Sequence, residues 1–266
     1  MDHPNAQSPE GSVPPGLAFT AHAETHVGMV RKVNEDAILD SSQIGLWVVA
    51  DGVGGAQAGD RASQLIVNSL AALASPEDGL GFLQNVQTIL QDVNRQLLTE
   101  AAAGGLARDI ASTVVCLLFF KGWYCCVWAG DSRIYRLRGD QFEQITHDHS
   151  EVQCLVDYGF ITLEEARVHP NANVITRAVG AEQVLLLDAV EGVIEPGDAF
   201  LLCSDGLTKV VEDWEIGATL APLAPQEAVR QLIQMTLDRG APDNVSVAVV
   251  KIGDDGGHRG NETAPN

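Results

Sequence analysis

The sequence predicts an α+β domain in which helices flank two packed β-sheets, because runs of strands are interrupted by paired helices. Its 45% hydrophobic content is ample for a sizeable core, and at 266 residues we favour one domain over two small ones. Both ends differ in composition: residues 1–16 are rich in Pro, Ser and Gly, and 253–266 are equally polar. We therefore expect two disordered tails around a folded domain of residues 17–252.

The first elements that the pattern predicts in this domain are two helices. Residues 60–74 and 82–103 have the apolar spacing of amphipathic helices that pack on a sheet. Four strands follow, which we expect to form an antiparallel meander: 113–120, 123–129, 134–137 and 142–145. Lys121-Gly122 and Gly139-Asp140 are typical two-residue turns and would join the members of each pair.

The stretch 147–178 lacks strong strand character and holds only short helical patterns, at 151–158 and 163–168. An irregular stretch of this length inside a compact domain is more often functional than idle. The remaining predicted elements are strands at 185–190, 199–203 and 245–252, with a helix at 226–237 before the last strand.

Composition excludes several classes of partner. The formal net charge of −20, from 16 basic and 36 acidic residues, opposes broad affinity for nucleic acid or an anionic membrane. No apolar run approaches the roughly 20 residues of a membrane span, and residues 1–16 lack the basic start and apolar core of a secretory signal. The five cysteines lack CxxC spacing, so we expect reduced packing residues. These features favour a cytoplasmic protein, in which an anionic substrate needs local positive charge.

Aspartates follow three apolar, strand-like runs and precede a fourth: Asp51, Asp131, Asp205 and Asp243. Asp-Gly after a strand is also one of the commonest hairpin turns, so each aspartate alone has a purely structural explanation. A hairpin tip does not explain why D-G-V-G-G at 51–55 leads into a helical pattern. If the strand ends converge, repulsion would protonate some carboxylates unless a cation holds them. Hard oxygen ligands select Mg²⁺ or Mn²⁺.

Further charged residues stand shortly before the strand that ends at Asp51. Arg31, Glu35 and Asp36 would by themselves fit a charged turn, but they open an ordered series of motifs: R-x-x-N-E-D, V-A-D-G-V-G-G, A-G-D-S-R, S-D-G-L and D-N-V-S. With these motifs in this order, residues 20–252 resemble the metal-dependent serine/threonine protein phosphatases of the PPM family (protein phosphatase type 2C), in their compact bacterial form.

The resemblance implies a four-layer α-β-β-α sandwich, with two antiparallel sheets between pairs of helices and a flap at about 147–178. It also implies a site for two Mn²⁺ or Mg²⁺ ions. Asp51 would bridge both ions, and the Gly52 carbonyl would bind one of them. Asp205 and Asp243 would hold the second ion.

Four other charged residues acquire roles from the resemblance. Glu35 and Asp36 match carboxylates that contact metal-bound water or lie just behind it, and Asp131 matches a ligand of a looser third ion. Arg31 matches the arginine that grips the substrate phosphate, for which a bidentate guanidinium is suited. Arg31 and Asp51 are thus the predicted catalytic residues.

Polar residues near these ligands match positions where hydrogen bonds orient carboxylates: Ser112, Thr113 and Asn244. Thr113 is equally explained as an ordinary strand residue. Val53 stands where eukaryotic relatives carry a histidine proposed to protonate the leaving oxygen, so the proton donor is undefined and a metal-bound water is the default. His149 lies in a stretch that resembles the entry to the family's flap, and we expect it to pack within that loop.

The resemblance predicts hydrolysis of phosphoserine and phosphothreonine by direct attack of a water that bridges the two ions. Positive charge from the metals and Arg31 would stabilise the equatorial oxygens in the transition state. We expect a monomer whose partners are phosphorylated proteins, including a bacterial Ser/Thr kinase that it opposes. Two alternatives stay open: a metal-dependent hydrolase of small phosphoesters, and a non-catalytic regulatory module that keeps the fold.

Overall fold

The structure is a computed structural model that describes residues 18–54, 58–103 and 110–253. The predicted tails lie outside the described residues, apart from Gly253. In this described part, no helix is long and apolar enough to cross a membrane. The strands are β1 (Phe19–His26), β2 (Asp36–Ser41), β3 (Leu46–Val53), β4 (Ala111–Ser112), β5 (Val114–Phe120), β6 (Trp123–Ala129), β7 (Arg133–Arg138), β8 (Gln141–Gln144), β9 (Asp188–Val193), β10 (Ala199–Cys203) and β11 (Val245–Ile252).

The α-helices of the described residues lie between β3 and β4, between β8 and β9, and between β10 and β11. They are α1 (Ala58–Ala71), α2 (Gly79–Ala103), α3 (Glu151–Asp157), α4 (Leu163–Arg167), α5 (Asp205–Thr208), α6 (Asp213–Leu220) and α7 (Pro225–Asp238). The three long predicted helices are therefore present as α1, α2 and α7, with ends within a few residues of those expected. The two short helical patterns in the flap are present as α3 and α4.

Two antiparallel sheets pack face to face. One has the strand order β1-β11-β10-β7-β8, and the other has the order β2-β3-β5-β6-β9, with β4 beside β3. Between them lies one apolar core. A second core joins α1 and α2 to the outer face of the β3 sheet, and a third joins α6 and α7 to the outer face of the β10 sheet. The predicted α-β-β-α sandwich is confirmed.

Strand β3 shows why the central strands are continuously apolar. Trp47 and Val49 point into the core between the sheets, whereas Leu46, Val48 and Ala50 point toward α1 and α2. All five side chains are fully buried. A strand covered on both faces has no position that favours a polar residue, so its first polar residue comes where the strand leaves the core.

The predicted meander is wrong in one respect. Both hairpins form with the expected turns, but β6 pairs with β5 and β9 while β7 pairs with β8 and β10, so the chain crosses between sheets after β6. Gly130 lies at this crossing with a φ of +115°, which L side chains rarely adopt. A Cβ there would lie 2.5 Å from the Thr113 Cβ. The crossing thus depends on a glycine packed against the neighbouring strand.

Other differences come from residues that pack without forming the expected element. The strand predicted at 185–190 lies instead at β9, because Leu185 and Leu187 pack from a loop against the core beneath α1 and α2. The sequence pattern assigned no element to β1, β2, α5 or α6. Among these, α5 has only four residues, too few for a helical period to show.

Candidate metal centre

A cleft of about 260 Å³ opens at the end of the sandwich where β3 and β10 end and β11 begins. The flap contributes Asn173 and Ile175 to its wall. The predicted site residues that line it are Arg31, Glu35, Asp51, Gly52, Thr113, Asp131, Asp205, Asp243 and Asn244. The strand ends therefore converge, as the apolar runs predicted.

Asp36 lies beside this cleft because it pairs opposite Asp51 in the β2–β3 ladder. Its Oδ2 accepts hydrogen bonds from the Ser204 hydroxyl at 2.7 Å and the Ser246 hydroxyl at 2.8 Å. Both serines belong to the other sheet, at the end of β10 and in β11. Asp36 therefore joins the two sheets directly below the cleft.

The predicted polar neighbours hold the main chain of Asp51. The Asp51 N–H donates to Thr113 Oγ1 at 3.1 Å, and the Thr113 N–H donates to the Asp51 carbonyl at 2.8 Å. The Ser112 hydroxyl donates to the same carbonyl at 3.0 Å. These contacts differ from the expected role of orienting carboxylates, because they fix the backbone from which the Asp51 side chain projects. Thr113 also bonds to Ser132, next to Asp131, at 2.7 Å.

Asn244 fastens the loop that carries the charged R-x-x-N-E-D motif. Its Nδ2 donates to the carbonyls of Val27 at 2.8 Å and Val33 at 3.0 Å. Its Oδ1 accepts the Glu35 N–H at 2.9 Å. One buried amide therefore uses both of its groups to hold the loop of Arg31 and Glu35 at the start of β11.

Gly52 lies too close to α1 for any side chain. A Cβ at Gly52 would lie 2.2 Å from the Gly59 carbonyl oxygen. β3 continues through Gly52, which pairs with Ser112, so Asp51-Gly52 is not a hairpin tip. This result removes the turn explanation for that pair and leaves a half-buried aspartate beside a close approach of two backbones.

Two cations of the chain contact the carboxylates. Arg31 forms a bidentate pair with Asp243, from Nε to Oδ1 at 2.9 Å and from Nη2 to Oδ2 at 3.0 Å. Lys209 Nζ lies 2.6 Å from Asp205 Oδ2 and 2.8 Å from Asp243 Oδ2. Lys209 was not predicted as a site residue. The available signal was its spacing of four from Asp205, which places both on one helix face only if α5 is known.

The carboxylates differ in how well they are neutralised. Burial, reinforced by neighbouring acids, raises the pKa of Asp36 to about 7 and that of Asp131 to about 8, and it raises the pKa of Asp51 well above its usual range. Burial acts in the same direction on Asp243, but the Lys209 ammonium overrides it and lowers the pKa of this carboxyl. By themselves, the carboxyls with raised pKa values therefore hold protons near neutral pH, whereas Asp243 stays ionised beside Lys209.

The donors fit a hard divalent cation. Three of the site's buried carboxylate oxygens find no hydrogen-bond partner in the described part of the chain: Glu35 Oε1, Asp36 Oδ1 and Asp205 Oδ1. Buried polar atoms are normally paired, so each of these needs a ligand to complete it. As the side chains stand, no three acidic, His or Cys residues of the described ranges form a ready-made ligand group. Lys209 and Arg31 cover oxygens of Asp205 and Asp243.

His149 packs in the loop, as predicted. Its ring Nδ1 accepts the Gly130 N–H at 3.2 Å, and the His149 backbone N–H donates to the Gly130 carbonyl at 2.9 Å. Its ring stacks on Trp128 with centroids 6.0 Å apart. His149 thus fixes the turn that delivers Asp131 to the cleft.

Similarity to known proteins agrees with this geometry. The chain is 36% identical over 238 residues to the serine/threonine protein phosphatase PstP of Mycobacterium tuberculosis. The match covers 90% of this chain and 46% of that relative. The chain therefore spans about half the length of that curated relative. It is also 32% identical over 240 residues to the serine/threonine phosphatase stp of Listeria welshimeri, covering 86% of this chain and 95% of the relative.

Solved structures give the same result. PppA, described as a key regulatory component of T6SS in Pseudomonas aeruginosa, superposes with a TM-score of 0.82 at 44% identity, covering 88% of this chain and 97% of the other. The catalytic domain of PstP in complex with two manganese ions superposes with a TM-score of 0.81 at 34% identity. This match covers 90% of this chain and 100% of the other. The protein phosphatase 2C family model matches residues 29–250. The chain belongs to the protein phosphatase 2C family.

Proposed function

We propose that this protein removes phosphate from phosphoserine and phosphothreonine in proteins, using two Mn²⁺ or Mg²⁺ ions. The observation that carries the proposal is the cleft in which carboxylates from both sheets meet with unpaired buried oxygens. The names of the relatives support it, since PstP and stp are both called serine/threonine phosphatases. The PstP catalytic domain with two manganese ions supports the same cofactor here.

The proposed ligands follow from the positions in the cleft. Asp51 and the Gly52 carbonyl are proposed to hold the ions, because both belong to the strand end that enters the cleft. Asp205 and Asp243 are proposed to hold the second ion, since Lys209 already bridges their carboxylates at 2.6 and 2.8 Å.

Three further carboxylates complete the proposed site. Glu35 and Asp36 each keep one buried oxygen unpaired, which suits contact with an ion or its water shell. Asp131 lines the cleft and has a pKa raised by burial to about 8, so it must lose a proton before it binds a cation at neutral pH. We assign Asp131 to a third, looser ion.

The chemistry divides between the ions and the chain. When bound, two such ions supply positive charge and an activated water for attack on phosphorus. Arg31 supplies a planar fork that fits two phosphate oxygens once it leaves Asp243. Thr113 holds the Asp51 backbone, and Asn244 holds the loop of Arg31, so both orient groups that act on the phosphate. Val53 lines the cleft, and no histidine lines its described part.

The proposal extends to the setting of the reaction. We infer that the protein acts in the cytoplasm as a monomer on phosphorylated proteins, including a Ser/Thr kinase whose action it reverses. All five cysteines are unpaired, which is typical of a reducing compartment. The net charge of −20 opposes nucleic-acid and anionic-membrane partners.

The test is metal-dependent phosphate release from a phosphothreonine peptide, compared with free nucleotides. We expect release with Mn²⁺ or Mg²⁺, none after chelation and none from Asp51→Asn. Asp140→Asn removes a carboxylate from an exposed turn and should release phosphate as the wild type does. Preference for nucleotides would favour a small-molecule hydrolase. Failure on every substrate with metal bound would favour a non-catalytic module.

A further inference from the structure

Lys209 occupies an unusual position in the cleft. It follows the four-residue helix α5, and its N–H donates to the Asp205 carbonyl at 2.9 Å, which places its side chain one turn after Asp205 on the same face. From there the ammonium reaches both Asp205 and Asp243. Asp205 follows β10 and Asp243 precedes β11, and these strands are neighbours in one sheet. Only 27% of the Lys209 side chain is exposed.

The ammonium therefore stands on the oxygens proposed to hold the second ion. A divalent ion would need to approach those oxygens to roughly 2.0 to 2.2 Å, and it cannot do so while a positive group contacts them at hydrogen-bond distance. Arg31 contacts Asp243 alone, whereas Lys209 bridges the pair. The lysine, rather than the arginine, joins the two carboxylates.

We propose that Lys209 is an internal counter-cation that holds Asp205 and Asp243 in the metal-free protein and must leave before the second ion binds. This inference rests on the proposed function, since it concerns the same site. By this inference, Lys209 sets the affinity of the site for the second ion. The chain's own cation competes with the metal, so the second ion binds only at a higher metal concentration than the carboxylates alone would require.

The structure also offers a place for the displaced side chain. Lys209 and Asp205 line a second cavity, of about 260 Å³, on the flap side of the cleft. Glu212 and Asp213 line the same cavity, where they face Arg167 and Arg133. A displaced ammonium can therefore move into this cavity and share these carboxylates with the two arginines.

The first test measures Mn²⁺ binding to metal-free protein by calorimetry, which requires no turnover. Lys209→Met keeps the length of the side chain and removes the charge. We expect it to bind the weaker Mn²⁺ ion about tenfold more tightly, as loss of charged hydrogen bonds from the competing ammonium implies. Two control variants should bind Mn²⁺ with near wild-type affinity. Lys209→Arg keeps a cation at the site, and Lys251→Met removes a cation at the far end of β11. No tightening in Lys209→Met, or equal tightening in either control, overturns the proposal.

A second test uses the unaltered chain and so does not depend on the folding of a variant. The sequence has four lysines: Lys32, Lys121, Lys209 and Lys251. Limited acetylation followed by mass spectrometry reports how accessible each amine is. We expect Mn²⁺ to raise acetylation of Lys209 severalfold relative to Lys121 and Lys251, because the amine leaves its carboxylates. An unchanged ratio with Mn²⁺ bound overturns the proposal.

Phosphate release from the phosphothreonine peptide, measured on the same preparations, separates this inference from the proposed function. If Lys209→Met binds Mn²⁺ more tightly while the wild type with both ions releases no phosphate, the counter-cation role stands and the proposed function fails. If the wild type releases phosphate but Mn²⁺ affinity is the same with methionine at 209, the function stands and the counter-cation role is overturned.

Discussion

Strand β10 has an aspartate near each end, and the two aspartates differ in how they are paired. Asp198, just before the strand, has a side chain with no exposed surface. Arg138 pairs with it through Nε at 2.8 Å and Nη2 at 2.7 Å, and the Glu195 N–H adds a bond at 2.9 Å. Asp205, just after the strand, has one oxygen on Lys209 and leaves the other buried and unpaired.

The difference separates a structural carboxylate from a ligand. Asp198 is completed by the chain itself, through a planar guanidinium and a backbone donor, so nothing further is needed to keep its charge buried. Asp205 is completed only in part, and the cleft around it holds several acids in a similar state. An unpaired buried oxygen is costly unless something else binds there. Burial alone does not distinguish these two carboxylates, whereas incomplete pairing does.

The largest expected effect comes from removing the structural carboxylate, Asp198. Asp198→Ala leaves the Arg138 guanidinium without its bidentate partner, and losing one member of a buried pair costs about 3 to 5 kcal/mol of unfolding free energy. Urea unfolding with and without Mn²⁺ measures this loss. It should be the same in both conditions, because Asp198 lies at the end of β10 opposite Asp205. A loss that Mn²⁺ repairs would mean the two ends are not independent.

The next largest effect comes from changing a proposed metal ligand, Asp51. Asp51→Asn should lower phosphate release more than about a hundredfold, since altered partners of metal ligands alone cost 10- to 100-fold. The same change removes a like charge from a crowded pocket, so the metal-free variant should melt at the wild-type temperature or above it. Thermal melts with and without Mn²⁺ check this. A metal-independent loss of stability would mark Asp51 as structural, like Asp198.

The pH dependence of the metal-free protein sharpens the comparison. The pKa values of Asp36 and Asp131 rise from 3.8 to about 7 and about 8 on folding. Groups with raised folded-state pKa values stabilise the fold fully at low pH, and this stability disappears as pH rises through 7 and 8. The two groups together should therefore raise the unfolding free energy of the metal-free protein by about 3 to 4 kcal/mol between pH 8 and pH 6. Urea unfolding at each pH checks this, and with saturating Mn²⁺ the trend should reverse, because ligands must be deprotonated.

The smallest expected effect concerns Arg31. Arg31→Ala should raise KM for a phosphopeptide about tenfold with a smaller fall in kcat, because its contact with the phosphate already exists in the bound substrate. Steady-state kinetics at saturating Mn²⁺ separates the two constants. Arg31 also covers Asp243, so its removal should not weaken Mn²⁺ binding. A fall in kcat with unchanged KM would contradict the role in binding phosphate.

The sequence predicted the parts of this fold that depend on local pattern. The β5–β6 and β7–β8 turns and the buried central strands follow from two-residue turn chemistry and from apolar runs. The pairing of β6 with β9 does not, because a local pattern does not name a strand's partner and the chain crosses between the sheets at Gly130. Strand β9 was misplaced because Leu185 and Leu187 are apolar for a reason other than strand formation.

The site was predictable to the same degree. Its carboxylates stand at strand ends within ordered motifs, so the convergence of Asp51, Asp131, Asp205 and Asp243 could be expected. The contact of Arg31 with Asp243 joins residues 212 positions apart, and no local pattern reports it. Lys209 escaped for a different reason: its spacing from Asp205 matters only within α5, which is too short to show a period.

The arrangement of the site across two sheets has a consequence for lifetime. Asp36 and Asp51 belong to one sheet, while Asp205 and Asp243 flank strands of the other. A cation bound to both sets would join the sheets by bonds that must break before the sandwich can open. Such a cross-link acts on escape from the native state, so Mn²⁺ should lower the unfolding rate and lengthen the native half-life against proteolysis. The same ion that serves the chemistry would thereby set how long a molecule survives.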